Sequence, residues 1–418
     1  MKILVLGSGG REHAIVWKLR KDGANDRIFA LPGNGGISND AECLPGGSDI
    51  PEGIAGVASM KGVDLTVVGP EIPLSSGIAD VFNQKNMKIF GPGKKGAALE
   101  SSKLFAKEFM KRHRIPTADF SLADSMEEGM KILEKREFPC VIKYDGLAAG
   151  KGVQVSESMK QATEFLDKIY TDRIFGSENR AVIIEDCLVG TEMSYLVFTD
   201  TAGYIPMVPA KDHKRVFDGD RGPNTGGMGC YSPPAAFNSE IEKAIQKNVV
   251  MPTLEGLRKD GIDYRGVLYF GIMLTKRGPY VLEYNARFGD PETQVILPRM
   301  ESNLVEVMEA VIERSLDRVS IRWSDSKSVC VILASGGYPG EYEKGKEIRG
   351  LNEIRDRDVM VFHAGTRKTE NGRLVTSGGR VLGITAVAGN LAAARKRVYG
   401  AAETVNFEGK HYRTDIGG

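Results

Sequence analysis

"VIKYDGLAAGKGVQV", residues 141–155, sets Lys143 and Lys151 on either side of a run of small and flexible residues. Both lysines lie in or beside apolar, strand-like stretches, and the loop between them carries almost no side chains. A glycine loop lets backbone N–H groups approach an anion closely, so two flanking cations and this loop read as a phosphate cover. It is not the ordinary P-loop. Gly146 and Gly150 are separated by three residues where that loop needs four, and Gly152 follows Lys151 where a hydroxyl is required. The segment after the loop, "GVQVS", reads as a strand and not as a helix. The stretch is therefore the tip of a hairpin folded over a nucleotide, with a plain flexible hairpin as the alternative.

On the N-terminal side, strand and helix alternate. "KILVLGSGGREHAIVWKLRK" reads as strand, glycine turn and helix, and "RIFALPGNGG", "VDLTVVGPE" and "MKIFGPG" read as three further strands. Short apolar runs separated in this way imply a parallel sheet covered on both faces, with ligands at the carboxyl ends of its strands. "GSGGREH" matches a dinucleotide turn only at Gly7 and Gly9, and Glu12 at the third position would repel a pyrophosphate. The helix start with Arg11 and His13 remains suited to a single phosphate or a polar sugar. A histidine in a first turn more often caps or packs than reacts.

Residues 99–116, "LESSKLFAKEFMKRHRIP", read as one helix ending before a proline. Strands "FPCVIKYDG", "AVIIEDCLVG" and "EMSYLVFTD" and the helix "SMKQATEFLDKIY" follow. "DHKRVFDGDRGPNTGGMGCYSPP" reads as a long polar, glycine-rich loop, a kind that is usually functional or disordered. After about Ser320 the pattern turns β-rich and closes with the helix "LAAARKRVY".

The second informative stretch is "YVLEYNARFGDPETQ". Strand alternation puts Glu283, Asn285 and Arg287 on one face, with Leu282 and Tyr284 toward the core. A carboxylate and a carboxamide oxygen two residues apart suit a hard cation such as Mg²⁺ that shares its other ligands with phosphates. A solvent-facing polar edge is the alternative for this face.

Bulk composition bounds the rest. The 418 residues are too many for one core, and 56 basic against 55 acidic residues leave a net charge of +1. That balance argues against a nucleic-acid partner. Cys43, Cys140, Cys187, Cys230 and Cys330 are scattered without a CxxC pair, as in a reduced, cytoplasmic protein. No apolar run approaches a membrane span, and the N-terminus opens directly on a strand.

Two phosphate-directed lysines, a glycine flap, an acidic strand end and a metal-ligand pair occur in an order that resembles the ATP-grasp ligases. Along essentially the whole chain, "GSGGREHA", "PGNGG", "VVGPEIPL", "IKYDGLAAGKGV", "DHKR", "GPNTGGMG", "EYNARFGDPETQ", "GYPG", "HAGT" and "SGGRVL" resemble the glycinamide ribonucleotide synthetase (phosphoribosylamine–glycine ligase) family. "RFGDPETQ" and "GPNTGGMG" are the most specific of these. The resemblance implies an α/β protein with an N-terminal parallel-sheet, pre-ATP-grasp domain (1–98) on the substrate phosphate and ribose side. It implies a central α+β ATP-grasp region (99–320), with a flap-bearing subdomain at about 118–192, and a C-terminal β-rich domain (321–418). It also implies ATP with Mg²⁺ or Mn²⁺, the substrates glycine and 5-phosphoribosylamine, and a monomer or weak dimer.

The same resemblance distributes roles. Lys103, Lys143, Gly150, Lys151 and Gly152 would cover the phosphates of ATP. The backbone around Glu185 and Leu188 would meet the adenine edge, and Glu192 the ribose hydroxyls. Glu283 and Asn285 would hold the metal, and Arg287 would stabilise an acyl phosphate. Asp212 would partner the glycine ammonium, with Lys214 as a phosphate or substrate contact, and either Asp212 or His213 could take a proton from the incoming amine. Asn224, Thr225, Gly226 and Gly227 would wrap glycine, while Gly9, Arg11, Asp290 and Arg380 would meet the phosphoribosylamine. One departure concerns the metal. The strand before Glu283, "GVLYFGIML", lacks the second acidic ligand common in ATP-grasp enzymes, so either Glu283 serves two ions or another residue or water fills the gap.

Overall fold

The structure is a computed structural model that describes residues 1–23, 27–46, 50–146, 152–176 and 181–418; Gly150 and Lys151 of the expected flap lie outside them. Lys2–Gly7 is the central strand of a five-stranded parallel sheet, flanked by Arg27–Pro32 and Leu65–Val68 and then by Glu42–Cys43 and Ile89–Phe90. Its residues feed two cores in alternation. Leu4 and Leu6 pack in one cluster with Ile54, Ala58 and Phe82, whereas Ile3 and Val5 pack in another with Ile15, Val16 and Leu19 of helix Gly10–Lys21. A strand buried on both faces cannot alternate polar and apolar residues, which is why these strands read as unbroken apolar runs.

The central region holds two antiparallel sheets. One orders Phe120–Ala123, Val182–Asp186, Cys140–Tyr144 and Val153–Ser156, and helices Met126–Leu133 and Met159–Tyr170 bury Leu133, Phe165 and Leu166 against it. The hairpin expected around the glycine loop is there: Cys140–Tyr144 pairs antiparallel with Val153–Ser156, and Gly152 O accepts Tyr144 N–H at 2.8 Å. The other sheet orders Tyr204–Pro206, Thr191–Thr199, Gly266–Thr275 and Gly278–Asn285. The two meet where Thr117 bridges Val281 and where Lys143 Nζ donates to Leu282 O at 3.1 Å. A third, five-stranded sheet is built from Val359–His363, Arg380–Ala388 and Lys327–Ala334, and it recruits Gly229–Ser232 and Lys211–Asp212 from the central region. Helix Leu391–Thr404 covers it with Ala394, Val398 and Ala402.

Three expectations are corrected. The single helix expected over 99–116 is two, Lys94–Ser101 and Lys103–Arg112. Ser102 sits between them in extended backbone, and its hydroxyl accepts Phe105 N–H at 3.0 Å, so it caps the second helix rather than continuing the first. The polar loop after Lys211 is folded into a hairpin, Arg215–Phe217 with Arg221–Asn224, between two strands of the third sheet. Finally, Leu282 is only half-buried, because a bulge opposite Gly271 and Ile272 leaves it unpaired and returns Val281 and Tyr284 to the core face. Glu283 and Asn285 keep a shared face.

Candidate active site

The lysines converge between the two central sheets. The Ser102 cap makes Lys103 the first residue of its helix, and Asp145 at the end of Cys140–Tyr144 holds that helix start by accepting Leu104 N–H at 3.1 Å and the Ser102 hydroxyl at 3.3 Å. Lys103 Nζ donates to Gly146 O at 2.8 Å, just before the glycine loop. Burial pushes the Lys103 pKa down against the attraction of Glu283. Lys143 pairs with Glu185 Oε1 at 2.5 Å, and the other Glu185 oxygen meets Lys107. Glu185 is therefore not the exposed strand-end charge that such a residue usually is; it is 2% exposed. Burial alone would raise its pKa, yet Lys143 and Lys107 hold it low, and burial brings Lys107, which shares the carboxylate, down to about 8. Lys107, four residues after Lys103, is a component that sequence reasoning missed. Leu188 and Glu192 follow, both half-buried.

The expected metal pair lies in the same cleft. The attraction of Lys214 outweighs burial and, with Lys143 and Lys103, takes the Glu283 pKa to about 2. Lys214 Nζ stands between Glu192 at 2.5 Å and Glu283 at 3.5 Å. In the other direction, those carboxylates overcome burial and hold the Lys214 pKa well above the ordinary lysine value. A carboxylate, a carboxamide and room for phosphate oxygens fit a hard divalent cation such as Mg²⁺. Opposite Glu283 is Gly271, where a side chain would come within 3.1 Å of the Glu283 stem. A side chain at that position would crowd Glu283. Among the described residues no group of three His, Cys, Asp or Glu could hold a metal by itself.

Arg287 lies among carboxylates at the end of the same strand. Its Nη2 pairs with Glu100 Oε1 at 2.7 Å and donates to Asn285 Oδ1 at 3.3 Å, and its Nε lies 3.5 Å from Glu71. Arg287 thus donates to Asn285 while two carboxylates hold its charge. Glu100 lies in an ordinary helical pattern, and Glu71, though inside the motif "VVGPEIPL", was not singled out.

Below Lys214, Asp212 Oδ1 is buried without a hydrogen-bond partner. Burial, then the neighbouring Glu292, raises the Asp212 pKa well above the usual carboxylate value. Glu292 accepts the Ser194 hydroxyl at 2.8 Å and the Tyr269 hydroxyl at 3.2 Å. It lies inside "RFGDPETQ" but was not singled out. The 224–227 segment closes over them. Thr225 Oγ1 donates to Lys214 O at 2.8 Å and accepts Gly227 N–H at 2.9 Å. Gly227 has φ +106°, and a Cβ there would sit 2.6 Å from Asp212 Oδ1, so only glycine fits. Asn224 pairs with Arg215 at the foot of the hairpin. His213 is buried against Tyr231; burial first and then Arg413 push its pKa down.

Arg380 joins the third sheet to this loop through Gly226 O at 2.5 Å, Asp290 O at 2.9 Å and Asp290 Oδ2 at 3.2 Å. It opens on a cavity of about 710 Å³ whose wall includes Ser8, Gly9, Asn34, Asp290, Lys368 and Arg380. Gly9 is on this wall, but its N–H is taken by Glu12 Oε2 at 2.6 Å. Glu12 fills the glycine turn so fully that a side chain at Gly7 or Gly69 would strike it, which leaves no room for a pyrophosphate. Arg11 is buried, with its guanidinium on Glu12 at 2.6 Å and Phe288 O at 3.1 Å. His13 packs as expected, its Nδ1 accepting His363 N–H at 2.7 Å.

Comparison with known proteins decides the family. Domain models of phosphoribosylglycinamide synthetase match in series: the N domain over residues 1–100, the ATP-grasp (A) domain over 101–293 and the C domain over 328–418. The chain belongs to the phosphoribosylglycinamide synthetase family. It is 46% identical over 416 residues to the phosphoribosylamine–glycine ligase of Caldanaerobacter subterraneus subsp. tengcongensis, covering 100% of this chain and 99% of that one. It is 45% identical over 417 residues to the corresponding ligase of Clostridium acetobutylicum, with the same coverage of each chain. The crystal structure of phosphoribosylamine–glycine ligase from Thermotoga maritima superposes with a TM-score of 0.86 at 37% identity over 99% of this chain and 100% of that one. As a member of the phosphoribosylglycinamide synthetase family the chain is an ATP-dependent ligase, with the mixed α/β, ATP-grasp architecture expected from its sequence.

Proposed function

We propose that the chain joins glycine to 5-phosphoribosylamine at the expense of ATP, through glycyl phosphate, giving glycinamide ribonucleotide, ADP and phosphate in the cytoplasm. The observation that carries this reading is the placement of Lys103, Lys143 and Lys214 around Glu283, above the unpartnered carboxylate oxygen of Asp212. A carboxylate is a poor electrophile. Attack of its oxygen on the γ-phosphorus of ATP, with cleavage of the bond to the β-phosphate bridge and departure of ADP, makes it an acyl phosphate. That step needs in-line positioning and neutralised charge rather than a protein nucleophile.

Lys103 and Lys143 hold the phosphate chain from the flap side, and Gly152 brings the hairpin backbone over it; Gly150 and Lys151 complete the cover in this reading. Glu283 and Asn285 would hold Mg²⁺ or Mn²⁺, whose charge, when bound, offsets that of the phosphates. Glu185 fixes Lys143 and, with Leu188 and Glu192, forms the side that takes the nucleoside. Asp212 and Glu292 turn carboxylate oxygens toward the glycine ammonium, whose charge would favour ionised Asp212 against its burial, and the 224–227 turn, whose Gly227 admits no side chain, limits the space beside it. The amine of phosphoribosylamine enters from the 710 Å³ cavity between residues 1–98 and 321–418. Its nitrogen attacks the acyl carbon, the carbon–phosphate oxygen bond breaks, and phosphate leaves as the amine loses a proton.

Asp212→Asn tests the ammonium site. The expected result is a glycine KM raised about tenfold or more with the ATP KM unchanged, a loss of ground-state binding. An unchanged glycine KM in steady-state rates would refute the placement.

A further inference from the structure

The hairpin that carries the substrate loop is too small to hold its own position. Arg215–Phe217 and Arg221–Asn224 form only two residue pairs, Arg215 with Asn224 and Phe217 with Arg221, and Arg221, Gly222 and Pro223 are exposed. A two-stranded ribbon of this length is not stable alone in water. Lys214 precedes it directly and Thr225–Gly227 follow it directly, so any drift of the ribbon moves both. The remedy comes from near the other end of the sequence.

Every residue of the first strand and its turn meets the segment 411–415. Arg413 Nη1 donates to Arg215 O at 3.0 Å and to Asp220 Oδ1 at 2.7 Å. The His411 ring lies 2.9 Å from Val216 O through Nε2 and packs edge-on against Phe217 at 5.7 Å. Asp218 accepts Thr414 N–H at 2.9 Å together with the Thr414 hydroxyl, and Gly219 N–H donates to Asp415 Oδ2 at 2.8 Å. The remaining arms of the Arg413 guanidinium fork onto Asp415 at 2.8 and 2.7 Å, and the side chain is 1% exposed. The segment is itself fixed. His411 exchanges backbone hydrogen bonds with Ala334 at 2.8 and 2.9 Å, Tyr399 Oη donates to Arg413 O at 3.0 Å, and Ile416 is fully buried in the third sheet's core.

We propose that Arg413 is a positioning residue for the amino-acid site: its buried fork locks the 215–220 strand and turn to the C-terminal sheet and thereby sets where Lys214 and the 225–227 turn stand. The lock is transmitted without slack. Lys214 O accepts both Thr225 N–H at 2.7 Å and the Thr225 hydroxyl at 2.8 Å, so one carbonyl fixes the foot of both strands. Lys214 then reaches Glu192 and Glu283, and Gly227 lies over Asp212. The inference rests on the reading that Asp212, Lys214 and the glycine turn hold glycine.

The test is steady-state kinetics on the full chain with Arg413→Met, Arg413→Lys, Lys214→Met and the Arg413→Met/Lys214→Met double variant. Arg413→Met is expected to raise the glycine KM about tenfold and the ATP KM by less, because the lost fork displaces Lys214, which also meets Glu192 and Glu283, together with the 225–227 turn, which meets Asp212. Arg413→Lys keeps the charge without the fork and is expected to fall between. The double variant is expected to match Lys214→Met alone, since the residues act through one element. Unchanged KM values for Arg413→Met, with the loss confined to thermal stability, would mean that the arginine only anchors the chain; so would additive effects in the double variant. If Lys214→Met leaves the glycine KM unchanged, the site reading fails instead, and the two failures are told apart. Should Arg413→Met not fold, Asp220→Ala removes an exposed partner of the same Nη1. It is expected to raise the glycine KM by about two- to threefold, and no rise would overturn the proposal.

Discussion

Glu283 gathers the cations of the cleft, with Lys214, Lys143 and Lys103 all acting to keep it ionised. Its replacement by alanine is expected to lower kcat at least about a hundredfold while the melting temperature changes little, because a half-exposed charge is lost from a site and not from a core. Near-normal turnover of Glu283→Ala at low Mg²⁺ would remove the metal role. The shared face of Glu283 and Asn285 was readable in advance because Glu-x-Asn on a strand has a geometric meaning. Strand alternation stops being informative for Arg287 once the strand ends at Asn285. Its partners come from other parts of the chain, Glu71 inside a motif quoted for the family resemblance and Glu100 in an ordinary helical pattern, and neither was tied to it in advance. A basic residue at a helix start signals an anion, and an anion that Arg11 meets is the neighbouring Glu12.

At the scale of elements, periodicity recovered the long core strands and helices such as Gly10–Lys21, Met159–Tyr170 and Leu391–Thr404 but left Pro51–Lys61, Met126–Leu133 and Met251–Lys259 unread, and capping chemistry explains why two helices were read as one. Ser102 divides a continuous helical pattern because its hydroxyl accepts the free Phe105 N–H of the next helix and donates to Asp145, which takes the Leu104 N–H. Ser102→Ala is expected to cost about 1 kcal/mol of stability and, by loosening Lys103, to raise the ATP KM about threefold or more. Thermal melts and ATP titrations check both, and an unchanged ATP KM would detach the cap from the site. The 215–224 hairpin escaped sequence reading because its strands are short and polar, and what holds them lies about two hundred residues away. The stretch still drew notice in the sequence, since a glycine-rich segment flanked by charge is unusual in a loop that does nothing.

Across the whole molecule, the first and last segments of the chain are joined beneath the large cavity. Asn34 Nδ2 donates to His363 O at 2.8 Å, Gly35 N–H to Thr366 O at 3.0 Å, and His363 N–H to His13 Nδ1. The His363 ring stands so close to Gly36 that a Cβ there would overlap it, and His13, Lys368 and Asp40 are the charged or titratable groups around it. Burial first, and His13 next, lower its pKa from 6.5 to about 3. The unfolded chain therefore takes up a proton below pH 6.5 that the folded chain refuses until about pH 3. The stabilisation is present above pH 6.5 and is lost as pH falls, by about 2 kcal/mol at pH 5. Denaturant melts from pH 7 to 4 are expected to show this loss, and His363→Asn to show a shallower slope; equal slopes would contradict it.

The central claim is that an inert carboxylate is made reactive by transfer of the γ-phosphoryl group onto its oxygen. Glycine labelled with ¹⁸O in the carboxylate, turned over with ATP and phosphoribosylamine, tests it in one measurement. Mass analysis of the released inorganic phosphate is expected to find one carboxylate oxygen in each molecule. Phosphate free of the label, formed at the same rate as product, would contradict the account.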